Sequence, residues 1–64
     1  MITIDITKAE FIGEGPMVKG AAFQVYKQDG KYYALIVSGQ ARWVVDGTTI
    51  EIQENEIDNY IDRD

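Results

Sequence analysis

Two Asp-Gly pairs, Asp29-Gly30 and Asp46-Gly47, each lie between segments rich in β-branched and aromatic residues, and they constrain this chain more than any other feature. A two-residue type I′ turn needs positive φ at both central positions, so Asp-Gly between apolar runs is among the strongest short-range hairpin signals. A tight turn at Asp29-Gly30 sets Gln28 opposite Lys31, Tyr26 opposite Tyr33, Val25 opposite Ala34 and Phe23 opposite Ile36. Side chains alternate across a strand, so one face carries Phe23, Val25, Ala34 and Ile36, and the other carries Gln24, Tyr26, Gln28, Lys31 and Tyr33. The first is the expected core face.

The same arithmetic at Asp46-Gly47 predicts Val45 opposite Thr48, Trp43 opposite Ile50, Arg42 opposite Glu51 and Ala41 opposite Ile52. Ala41, Trp43, Val45, Ile50 and Ile52 then share an apolar face, and Arg42 and Glu51 form an opposite-charge cross-strand pair. A tight turn at Ser38-Gly39 joins the hairpins, with Ala34 opposite Trp43 and Ile36 opposite Ala41. All three turns agree on a meander over 21–53 with Phe23, Val25, Ala34, Ile36, Trp43 and Ile50 inside.

Upstream, Ile2, Ile4 and Ile6 alternate with Thr3, Asp5 and Thr7, the pattern of a half-buried first strand. The phase then slips to Ala9 and Phe11, which predicts a bulge near Thr7-Lys8. Gly13-Glu14-Gly15-Pro16 reads as a turn or loop, with Met17-Val18 leading into the next strand. Downstream the period changes: Ile57, Tyr60 and Ile61 fall at i, i+3 and i+4 behind an Asn55 cap, with Asp58 three residues on. A helix this short needs its apolar stripe docked on the sheet. The expectation is one domain over 1–64, mainly β, an antiparallel meander of about five strands forming a curved sheet or an SH3-like or OB-like barrel, with a short C-terminal helix.

Composition narrows the function. The chain has 64 residues, and a domain this size buries only about 60% of the surface its unfolded chain exposes. Cysteine and histidine are both absent, so disulfides and the usual zinc ligands are excluded, as is a Ser or Cys nucleophile with a histidine base. Gly13-Glu14-Gly15 starts like a dinucleotide fingerprint, but Val18 occupies the third glycine position and no βαβ unit surrounds it. No catalytic, cofactor-binding or metal-binding residue is assigned, and a non-enzymatic protein is expected. The polar alternation at the N-terminus offers no apolar signal segment, and no apolar run approaches the ~20 residues of a membrane span, so a soluble cytoplasmic protein is expected.

The net charge of −5 is segregated. Residues 1–50 hold five acids and five bases, whereas residues 51–64 hold six acids against Arg63 alone. The leading reading is therefore a protein-binding module, an inhibitor in its sharpest form, whose acidic C-terminal segment, with Glu51, Glu54, Asp58 and Asp62, occupies a basic, nucleic-acid-binding surface of a partner. Residues four apart on an α-helix would line those carboxylates along one flank. A second reading takes Tyr26, Lys31, Tyr33 and Arg42 as an aromatic and basic face for single-stranded nucleic acid, which the neutral balance of residues 1–50 disfavours. A third is self-association through a strand edge or the tyrosine face, giving a homo-oligomer.

Overall fold

The computed structural model describes residues 4–39, 43–45 and 47–62. Its centre is the hairpin of β2 (Ala21–Gln28) and β3 (Lys31–Ser38), paired from Ala21 opposite Ser38 to Gln28 opposite Lys31 in the register that the Asp-Gly turn predicts. Asp29 has φ 54° and Gly30 φ 76°, the double positive φ of a type I′ turn. β1 (Glu10–Glu14) lies antiparallel to β2, with one extra residue between Phe11 and Gly13. That bulge keeps Phe11 opposite Tyr26 while Gly13 comes opposite Val25, and Ile12 packs against the core.

The second Asp-Gly pair does not reverse the chain. β4 (Trp43–Val44) and β5 (Ile50–Ile52) both pair antiparallel with β3, Val44 opposite Val37 and Ile50 opposite Ala34. They are two stretches of one strand direction along the same edge of β3, and the register advances by three residues between them. Val45 and Thr48, between the two stretches, bond to Ile36 of β3. Val45 N–H donates to the Ile36 carbonyl at 2.8 Å, and Ile36 N–H donates to Thr48 Oγ1 at 3.2 Å, so both backbone groups of Ile36 are satisfied. The predicted pairs Trp43–Ile50 and Val45–Thr48 are thus replaced by pairing with β3, and Glu51 faces Tyr33. Ala41, Arg42 and Asp46 lie outside the described residues. The tight Ser38-Gly39 turn is not formed: Ser38 pairs with Trp43, and Ala34 faces Ile50 instead of Trp43.

Two further boundaries move. Ile4 and Ile6 are not in a strand, because the Asp5 carboxylate accepts from both Thr7 N–H (3.0 Å) and Thr7 Oγ1 (2.5 Å) and winds the chain into a turn. Those bonds hold the Asp5 carboxyl below its ordinary pKa, the side-chain bond contributing most. Ile2 and Thr3 lie outside the described residues. The bulge expected at Thr7-Lys8 sits at Ile12. Gly13 and Glu14 belong to β1, and the reversal into β2 comes later, at Lys19 (φ 53°) and Gly20 (φ 80°), with Val18 bridged to Ala21.

The sheet carries a buried cluster on each face. Val25, Ala34 and Ile52 pack beneath Ile57 and Ile61 of the C-terminal segment, where a 3₁₀ helix spans Glu54–Asn59. Ala22, Tyr26, Leu35 and Val37 form a second cluster on the opposite face, covered by Ile4, Ala9 and Val44. The face opposite the expected core face therefore carries a core of its own. Leu35 is completely buried, and the continuous Ala34-Leu35-Ile36-Val37 run is the pattern of a strand covered on both sides. β1 pairs only with β2 among the described strands, which therefore form an open antiparallel sheet. Among the described residues no helix is long and apolar enough to cross a membrane.

Candidate protein-docking surface

The helix-bearing face is not covered along its whole length. Register places Phe23 opposite Ile36, Ala21 opposite Ser38, Ser38 opposite Trp43 and Ala34 opposite Ile50, so Phe23, Ile36, Trp43 and Ile50 share the face that holds Val25, Ala34 and Ile52. The short helix reaches only the latter group. Trp43 is 65% exposed, Ile50 43% and Phe23 37%, although all three were expected inside. Ile36 is half-buried, and of the predicted core only Val25 and Ala34 are completely covered.

Pro16, Val18, Ala21, Phe23 and Ile36 enclose an apolar groove of about 190 Å³ between the Lys19-Gly20 hairpin and the sheet. Two contacts join it to the C-terminal segment. The Phe23 and Tyr60 rings meet edge to face, with centroids 5.2 Å apart. Gly15, next to Pro16, lies so close to the Tyr60 carbonyl that an added Cβ would stand 2.2 Å from its oxygen. Glycine is required there by a close backbone approach, since nothing larger leaves the helix end in place.

The acidic residues flank this region on the same segment. Glu54 and Asp58 are exposed on the 3₁₀ helix and Asp62 is exposed just beyond it. Gln53 N–H donates to Glu56 Oε1 at 2.9 Å, so Gln53, and not Asn55, occupies the cap position. A 3₁₀ helix has three residues per turn, so carboxylates four apart fan around it instead of forming one straight row. Glu51 pairs with Tyr33 on β5 and therefore projects toward the opposite face of the sheet. Ile57 and Ile61 are buried and Tyr60 half-buried, so the predicted docking stripe holds the segment on the sheet. Arg63 lies outside the described residues.

Tyr26, Lys31 and Tyr33 share the other face, and Arg42 lies outside the described residues. Tyr26 is buried, with Phe11 against its ring and its hydroxyl donating to Gln24 Oε1 at 2.9 Å, so it offers no platform for a base. Burial raises its pKa above the ordinary tyrosine value. Tyr33 is half-buried and Lys31 exposed at the hairpin end. Among the described residues no three His, Cys, Asp or Glu side chains converge as a metal site.

The residues that sequence reasoning missed as surface are Phe23, Ile36, Trp43 and Ile50. Alternation identified their common face correctly, but whether a covering element extends over that face is a long-range property absent from the pattern. Comparison with protein-family models, with curated proteins and with solved structures finds no match.

Proposed function

We propose that this chain is a non-enzymatic, cytoplasmic protein-binding module that docks on a basic surface of a partner and, where that surface binds nucleic acid, blocks it. The observation that carries the reading is the juxtaposition of an uncovered apolar half-face with a folded acidic segment. Residues 51–64 hold six acids against Arg63 alone, and Ile57 and Ile61 anchor the stretch that carries Glu54, Asp58 and Asp62 beside Phe23 through Tyr60. Apolar contact supplies affinity, while the surrounding charge sets partner choice and association rate. Acids held on a docked element also lose less conformational freedom on binding than a loose tail.

The test is capture of partners from native lysate on the immobilised chain, identification of the bound protein, and measurement of its affinity for the wild type and for the combined Glu54→Gln, Asp58→Asn, Asp62→Asn variant. Affinity should fall steeply in the variant and with added salt. An affinity insensitive to both would refute the acidic docking mode.

A further inference from the structure

Resting on that reading, we infer that the groove of Pro16, Val18, Ala21, Phe23 and Ile36 seats one bulky apolar side chain of a partner polypeptide segment whose adjacent residue, on the Tyr60 side, is Lys or Arg. Three observations converge on this occupant. The first is size: a cavity of about 150 Å³ holds a benzene ring, so a groove of about 190 Å³ takes one aromatic or branched side chain and not a packed helix. A single anchor filling a pocket is the usual centre of a protein interface.

The second is charge along the groove. At one end it is bounded by Phe23, whose ring contacts Tyr60, and Tyr60 lies between Asp58 and Asp62 on a segment, 51–64, that holds six acids against Arg63 alone. At the other end stands the Val18–Ala21 turn with exposed Lys19. The apolar groove thus runs from an acidic end to a basic one, and an anchored segment with its cation toward Tyr60 has the favourable direction. The third is the choice between a foreign partner and a second copy. A symmetric pair through this face would bring two copies of the acidic segment to one interface, each chain carrying −5 in total, whereas a basic segment is attracted.

The experiment selects random short peptides, displayed on phage, against the immobilised full chain, and measures the enriched peptides as free synthetic ligands. Parallel measurements use Ile36→Lys in the groove floor, Val18→Arg at its exposed rim, and the combined Glu54→Gln, Asp58→Asn, Asp62→Asn chain, each checked for native circular dichroism. The inference expects peptides with an aromatic or branched residue adjacent to Lys or Arg. Their affinity should fall at least about tenfold with either groove variant and several-fold with the neutralised chain. Because Val18 is 62% exposed, its variant keeps the test valid if Ile36→Lys does not fold.

Basic peptides that keep full affinity for both groove variants but lose it on the neutralised chain would overturn the groove assignment while leaving the acidic docking mode intact. Uncharged anchors indifferent to neutralisation would overturn both. Absence of any enrichment, or a wild-type dimer in sedimentation that Val18→Arg dissociates, would overturn the inference in favour of no occupant or a second copy.

Discussion

One sheet face is built in two ways in this molecule. At one end Val25, Ala34 and Ile52 are sealed under Ile57 and Ile61, and at the other Phe23, Ile36, Trp43 and Ile50 meet solvent although they obey the same alternation. The difference is the reach of the covering segment. A single six-residue 3₁₀ helix rises about 2 Å per residue and spans roughly 12 Å, less than half of the molecule's 30 Å longest dimension. The sealed end contributes stability. The open end leaves apolar surface beside exposed acids, the pairing on which the proposed docking rests.

The sharpest contrast comes from truncating both ends. Ile57→Ala should cost about 2–5 kcal/mol in urea unfolding, because it removes a buried aliphatic side chain from a thin core. Trp43→Ser should change stability by no more than about 0.5 kcal/mol, because the side chain is mostly in water. Equal losses at the two sites would erase the distinction between them.

Gly15→Ala probes how the sealed end is held. The new methyl meets the Tyr60 carbonyl, a backbone group that cannot rotate aside, so the helix end must shift, at about 1–3 kcal/mol. It should also expose Tyr60 and loosen the Phe23 contact, which ring-proton chemical shifts would register.

A smaller effect separates the two faces of the sheet. Tyr26 is buried on the face opposite the helix with its pKa raised by burial. The folded state therefore holds the phenolic proton more tightly than the unfolded state. Its contribution is complete below the unfolded value near pH 10 and is lost as pH rises through the higher folded value. Tyr26→Phe should flatten the alkaline limb of the stability curve, with a neutral-pH change of about 1 kcal/mol from the lost bond to Gln24. An identical alkaline limb would place that titration elsewhere.

The β2–β3 register was readable because Asp29-Gly30 specifies both dihedrals of a reversing turn. Asp46-Gly47 carries the same signal, yet Val45 and Thr48 bond back to Ile36 and the chain continues along β3. Turn chemistry reports local curvature, and the partner across the ladder decides whether the strand reverses. The first strand failed for a related reason: Ile4 and Ile6 alternate well, but Asp5 and Thr7 compete for the backbone and fold it into a turn. Of the site, the acidic segment and its stripe of Ile57 and Ile61 were visible as charge and period, whereas the open apolar half required knowing where that stripe lands.

Trp43 is the only tryptophan in the chain, which makes the open half-face directly observable. The most direct measurement is acrylamide quenching of its fluorescence, in the free protein and at saturation with a partner that depends on Glu54, Asp58 and Asp62. A docking surface predicts efficient quenching in the free chain and marked protection in the complex, both independent of protein concentration. Protection already present in the free chain and growing with its concentration, or a complex in which Trp43 is quenched as before, would contradict it.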